Sequence, residues 1–299
     1  MSPVTTRQVV VRGVRSPVSE AGASEATEAV VFVHGNPGPA RDWDFAIPSI
    51  AEFARVIAPD MPGYGSADRP RELPYTVKGY ADHLAGILDQ IGVSRAHLVL
   101  HDFGGPWGLQ WAIDNPTAFA SVTLINTGLF AGYRWHKFAK VWRTPIVGEL
   151  FQATTTRAGL RLFLNRDNPK PLPDEFIDRI YKDSDRGMKR AVLKLYRSTD
   201  IAELAVQLSP ALRALDRPAL VIWGEADAYL PLEFAERQRE TFPGAEVVTI
   251  PGAGHWPFVD DPDAVREPLL GFLRTQITAP VAYSARSGRD PCPHPPTSG

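Results

Sequence analysis

The segment Leu98–Trp107, LVLHDFGGPW, carries an apolar run into a His–Asp pair, two glycines and a stretch with helical spacing. That is the form of a buried strand ending in a tight turn with a reactive side chain, Asp102, at its tip. Serine is the usual occupant of such a tip, and its hydroxyl needs a base to take its proton before it attacks. A carboxylate needs no such help, because with an ordinary pKa of ~3.9 it is already an anion at neutral pH. Asp102 is therefore suited to attack an sp³ carbon, displacing a leaving group or opening a strained ring, with an alkyl ester as the result. His255, in Gly252-Ala-Gly-His-Trp256, can then deprotonate the water that cleaves this ester. Asp227, in Gly224-Glu-Ala-Asp227, can orient the imidazole and stabilise its cation, with Glu225 as the rival for that role. An acyl substrate would give a mixed anhydride on Asp102, which disfavours ordinary ester cleavage.

These residues need a scaffold that brings them together. Strands are expected at Gln8–Arg12, Ala29–Val33, Arg55–Ala58, Leu98–Leu100, Ser121–Asn126, Ala219–Trp223 and Glu246–Ile250. Helical spacing marks Asp42–Phe53, Tyr80–Ile91, Pro106–Asp114, Pro231–Thr241 and Asp263–Thr275. Strands that are apolar almost throughout, alternating with helices, make a parallel sheet covered on both faces. Ligands of such sheets bind at the carboxyl ends of the strands. His34-Gly-Asn-Pro-Gly38, Asp102, Asp227 and His255 all follow expected strands, and the order Asp, Asp, His suits a nucleophile, acid and base. The rhythm breaks between 129 and 215, where the pattern is helical and rich in aromatic and basic residues. The expected organisation is a core of 1–128 and 216–278, a helical cap of 129–215 and a disordered tail of 279–299.

The chain has 299 residues, 44% hydrophobic, with a formal net charge of −2. Nothing in this balance favours nucleic acid or an anionic membrane. The amino-terminal residues lack the apolar core of a secretion signal, and no apolar run suits a membrane span. The one cysteine, Cys292, cannot form an internal disulfide. A cytoplasmic enzyme is expected, a monomer or homodimer, with a small apolar or amphipathic substrate and water as its partners. This chemistry requires no metal and no cofactor.

The stretches HGNPG, DMPGYGSADRP, HDFGGPWG, WGEADAYLP and GAGHWPF resemble α/β-hydrolase-fold enzymes of the aspartate-nucleophile branch, the epoxide hydrolases and haloalkane dehalogenases. The likeness covers about residues 8–275. It implies a mostly parallel eight-stranded sheet flanked by helices, with an inserted helical cap. It also implies an oxyanion hole built from the backbone N–H groups of Phe103 and Asn36. Dehalogenases of this branch carry a Trp directly after the nucleophile, its indole N–H aimed at the halide, with the loop Asn as second donor. Asn36 fits that pattern, but Phe103 has no donor. Losing one hydrogen bond to an ion costs ~1.5–3 kcal/mol. Epoxide hydrolases protonate the opening ring with cap tyrosines, and Tyr196 stands in a matching context. Tyr133, His136 and Tyr181 are candidates for a second donor. Some dehalogenases keep their acid at the position of Asn126, which carries no charge here. His34 and His101 read as turn or supporting residues, His83 and His97 as packing residues, and His294 as part of the tail. The expectation is an epoxide hydrolase that forms vicinal diols. The alternatives are a haloalkane dehalogenase or a hydrolase-fold binding protein with a degenerate site.

Overall fold

The computed structural model describes residues 3–277. The tail expected at 279–299, with Cys292 and His294, lies outside them. Eight strands form one sheet: β1 (Thr5–Val11), β2 (Val14–Ala21), β3 (Glu28–Val33), β4 (Arg55–Pro59), β5 (Arg95–His101), β6 (Phe119–Ile125), β7 (Ala219–Gly224) and β8 (Glu246–Ile250). They lie in the order β1-β2-β4-β3-β5-β6-β7-β8. β2 is antiparallel to β1 and β4, and every other pairing is parallel. Every residue of β4, β6 and β7 is buried, as strands covered on both faces must be. The chain runs from β3 outward to β4 on one side and then to β5 on the other. The direction of winding thus reverses between β3 and β5, where an open parallel sheet leaves its ligand crevice. His34 and Asp102 stand at the two lips of that crevice.

β2 lacks the strand pattern of its neighbours, because its sequence, VRSPVSEA, interrupts the apolar run with Arg, Ser, Pro and Glu. The structure buries Glu20 of this strand and pairs it with buried Arg55 of β4, so its charge faces inward. The helix expected over Asp42–Phe53 is a 3-10 turn, Ala40–Trp43, and one short turn, Ile47–Ile50. The helix expected over Pro231–Thr241 is Glu233–Arg237 followed by a 3-10 turn. Elsewhere the ends move by a few residues. The helix after β4 starts at Val77 because the Thr76 side chain accepts a hydrogen bond from Gly79 N at 3.1 Å, an N-cap.

Six helices separate β6 from β7: Lys137–Arg143, Val147–Thr154, Arg157–Asp167, Asp174–Asp183, Arg186–Ser198 and Ile201–Leu215. The last packs against Gly104–Asp114 of the core, so residues 137–198 are the part that covers the strand ends. Polar contacts tie that part down. Arg179 pairs with buried Asp42, and Asn168 Nδ2 donates to Asp260 Oδ1 at 2.9 Å. Among the described residues no helix is long and apolar enough to cross a membrane.

Candidate active site

β5 ends at His101, and the next residue, Asp102, has φ of 48° before the helix Gly104–Asp114 begins. A left-handed Asp costs backbone strain, which the surroundings must hold in place. Two close approaches do so. A Cβ on Gly104 would lie 2.1 Å from the Val33 carbonyl oxygen, and one on Gly35 would lie 2.5 Å from Asp102 Oδ1. The glycines therefore let the turn sit directly on the end of β3. The Thr127 hydroxyl donates to the Asp102 carbonyl and fixes the turn from the other side.

The three expected residues meet at this point. Asp102 Oδ2 is 3.4 Å from His255 Nε2, and His255 Nδ1 is 2.8 Å from Asp227 Oδ2. Asp227 is buried, and its Oδ1 accepts hydrogen bonds from the backbone N–H of Tyr229 and Leu230 at 2.7 and 2.9 Å. Glu225, the rival, is exposed and accepts from Thr249 Oγ1. Asn126, at φ 41°, donates from Nδ2 to Asp227 Oδ2 at 2.7 Å and accepts from Gly224 N at 2.9 Å. It is a positioning residue that holds the carboxylate rather than replacing it. His101 Nε2 donates to the His255 carbonyl at 2.8 Å. His34 Nε2 accepts from Met61 N, which leaves its proton on Nδ1 facing Gly35 O.

The electrostatics follow from burial set against these partners. Burial alone would lower the His255 pKa, but the carboxylates of Asp227 and Asp102 overcome it and push it up to about 10. Burial would raise the Asp102 pKa, yet His255, His101 and the Asn36 N–H hold the carboxyl below its ordinary value. That N–H donates to Asp102 Oδ1 at 2.7 Å, so one oxygen is anchored while the other faces His255. Burial pulls His101 down to about 4, and it stays neutral.

A cavity of about 300 Å³ opens over Asp102, lined there by Asn36, His136, Tyr196, Tyr229 and His255, and farther out by phenylalanines of the cap. Tyr196 is buried, its ring 4.9 Å from that of Phe103 and 4.8 Å from that of Trp142. Its hydroxyl oxygen accepts from Asn36 Nδ2 at 3.3 Å. Tyr133 and Phe103 do not border this space. Both line a smaller chamber of about 40 Å³ that shares Asp102, His136, Tyr196 and Tyr229 with the first. Tyr181, half exposed, lies on the wall of the larger cavity. His136 gains weight over Tyr133. Its Nδ1 accepts the Ala139 N–H as an N-cap, which puts the ring proton on Nε2, and burial lowers its pKa to about 4. Tyr229, two residues past Asp227, stands edge-on to His255 at 5.1 Å, and only its proximity to the motif could have singled it out.

A family model described as the alpha/beta hydrolase fold matches residues 28–262. The chain belongs to the α/β hydrolase fold family. As an α/β hydrolase it is 28% identical to 2-hydroxymuconate semialdehyde hydrolase of Pseudomonas sp. (strain CF600), over 85% of this chain and 89% of that protein. It is 25% identical to Epoxide hydrolase 1 of Caenorhabditis elegans, over 90% of this chain and 70% of the relative. Among solved structures it superposes on haloalkane dehalogenase DbeA from Bradyrhizobium elkani USDA94 with a TM-score of 0.80. The identity there is 25%, and the match covers 91% of this chain and 98% of the dehalogenase.

Proposed function

We propose that this α/β hydrolase is an epoxide hydrolase that works through an alkyl ester on Asp102. The observation that carries the reading is the pair of donors over the carboxylate. The hydroxyl of Tyr196 and the Nε2–H of neutral His136 border the same cavity as Asp102, while the residue after the nucleophile, Phe103, has no donor in its side chain. Asp102 Oδ1 is held by the Asn36 N–H, so Oδ2 attacks a ring carbon. The C–O bond breaks, and its electron pair goes to the ring oxygen, which takes the Tyr196 proton with His136 in support. Through solvent, Tyr196 then regains a proton and His255 gives one up. His255, freed of one neighbouring anion by esterification, then removes a proton from water as the water attacks the ester carbonyl. The oxyanion at Oδ1 stays on the Asn36 N–H, with the Phe103 N–H at the helix start as second donor. Collapse releases the vicinal diol and restores Asp102.

Haloalkane dehalogenation is the second reading, and one observation favours it. Asn36 Nδ2 and the Tyr196 hydroxyl form a pair of donors beside Asp102 that could receive a halide. Intact-mass measurement of a His255→Gln variant separates the two. Incubated with terminal epoxides and bromoalkanes, it should accumulate an adduct equal to the whole epoxide. An alkyl adduct with bromide released selects the dehalogenase, and no adduct from either overturns both. An Asp102→Asn variant that still turns over these substrates would refute Asp102 as nucleophile.

A further inference from the structure

The helix Arg186–Ser198 begins at Asp185, whose side chain accepts from Met188 N at 2.8 Å. Its cavity-facing stripe includes Lys189, Val192 and Tyr196, spaced i, i+3 and i+7, and all three line the larger cavity. Among the cavity's lining residues the charged groups are Asp102 and His255, which pair with each other, and Lys189, which stands apart from them. The natural partner for Lys189 one turn back, Asp185, is taken up by its cap and by Arg69, 3.2 Å away. Among the described residues Lys189 makes no ion pair. An unpaired cation on the wall of an otherwise largely apolar cavity has a use if the ligand brings the anion.

We infer that the substrate is an amphipathic molecule with a carboxylate, held by Lys189, and an apolar chain that carries its reactive carbon to Asp102. The identity of the reactive group rests on the epoxide reading above; the carboxylate does not. Two helical turns separate Lys189 from Tyr196, about 10 Å along the axis. An extended chain covers about 3.5 Å in three bonds, so about nine bonds lie between the carboxylate and the ring oxygen. The opposed charges also set direction. Asp102, His255 and Asp227 together carry one net negative charge, which repels the acid end while Lys189 attracts it, so the molecule enters tail first. A single ammonium suits a carboxylate better than a phosphate, which proteins grip with several cations or a row of N–H groups.

Binding tests this without any turnover. Trp142 and Trp256 line the cavity, so their fluorescence reports occupancy by decanoate or its methyl ester at pH 7. Decanoate should bind about tenfold more tightly than the ester at low salt, as expected for one part-exposed charge-assisted hydrogen bond. The preference should persist in Lys189→Arg and vanish in Lys189→Met, which keeps the methylene stem. Equal affinities in the parent protein, or a preference that survives in Lys189→Met, would overturn the assignment. With ω-epoxy acids and their methyl esters, the acid-to-ester ratio of kcat/KM should fall to about one in Lys189→Met. If carboxylates bind as expected but no epoxide is turned over, Lys189 stands and the epoxide reading falls.

Discussion

The hydroxyl oxygen of Tyr196 accepts its hydrogen bond from the side chain of Asn36, so its own hydrogen is left to give. A residue of the loop after β3 thereby leaves a donor free on a cap helix, at the cavity over Asp102. Tyr196→Phe removes that donor and should lower kcat on epoxides by about a hundredfold. Steady-state kinetics on a terminal epoxide checks it, and adduct formation in the His255→Gln background should slow by a similar factor. Loss confined to ester hydrolysis would place Tyr196 elsewhere in the cycle.

The His255 pKa, pushed up to about 10, makes a stability prediction with a definite sign. A group that binds its proton more tightly when folded adds stability in full below its unfolded value, near 6.5. That contribution drains away as pH rises through the folded value. Melting temperature should therefore fall between pH 7 and 10. Asp227→Asn removes the main source of the upward shift and should flatten that fall. An unchanged slope in Asp227→Asn would show that the proton on His255 is not held by this carboxylate.

Phe103 offers a direct probe of leaving-group choice. Phe103→Trp places an indole N–H at the smaller chamber beside Asp102. Bromide release from bromoalkanes should rise relative to epoxide turnover. Overpacking against Trp107, Trp135 and Tyr196 should cost about 1–3 kcal/mol of stability. Ion-selective detection of bromide and a denaturant melt read the two effects separately.

Asn126→Ala should strip Asp227 of one donor and leave the buried Gly224 N–H without its acceptor. An orphaned buried amide costs about 1–3 kcal/mol. The expected outcome is a loss of stability in that range together with slower hydrolysis of the alkyl ester. A loss of stability with unchanged ester hydrolysis would reduce Asn126 to a purely structural role.

Arg179→Met should be more damaging than a surface change. Burial already lifts the pKa of Asp42 to about 6 against the pull of Arg179. Removing the guanidinium leaves a buried carboxylate without its partner, a loss of about 3–5 kcal/mol. Urea denaturation measures it, and the double variant with Asp42→Asn should recover much of the loss.

Much of this site could be read from the chain because its parts are local. Asp102 is legible from a strand, a tip and two glycines, and β8 spans the expected residues, Glu246–Ile250. Asp227 and His255 follow the same grammar. What packing decides was harder to read. Tyr133 and Tyr196 are both cap-region tyrosines, and only the placement of the helix Arg186–Ser198 puts Tyr196 over Asp102 while Tyr133 turns to the smaller chamber. Asn126 looked like an acid without a charge; its use as a donor to Asp227 depends on β6 and β7 lying side by side. β2 hid because its buried Glu20 breaks the apolar pattern, and its partner Arg55 lies 35 residues away.

The smaller chamber bears on traffic through the site. Its volume of about 40 Å³ has room for a few waters, and it reaches Asp102 from the side of Phe103 and Thr127. A long substrate that plugs the mouth of the larger cavity would shut out bulk solvent at the moment hydrolysis needs it. On the proposed mechanism, water held in this chamber would reach the ester on Asp102 without passing the larger cavity. The length of the organic reactant would then not set the supply of water.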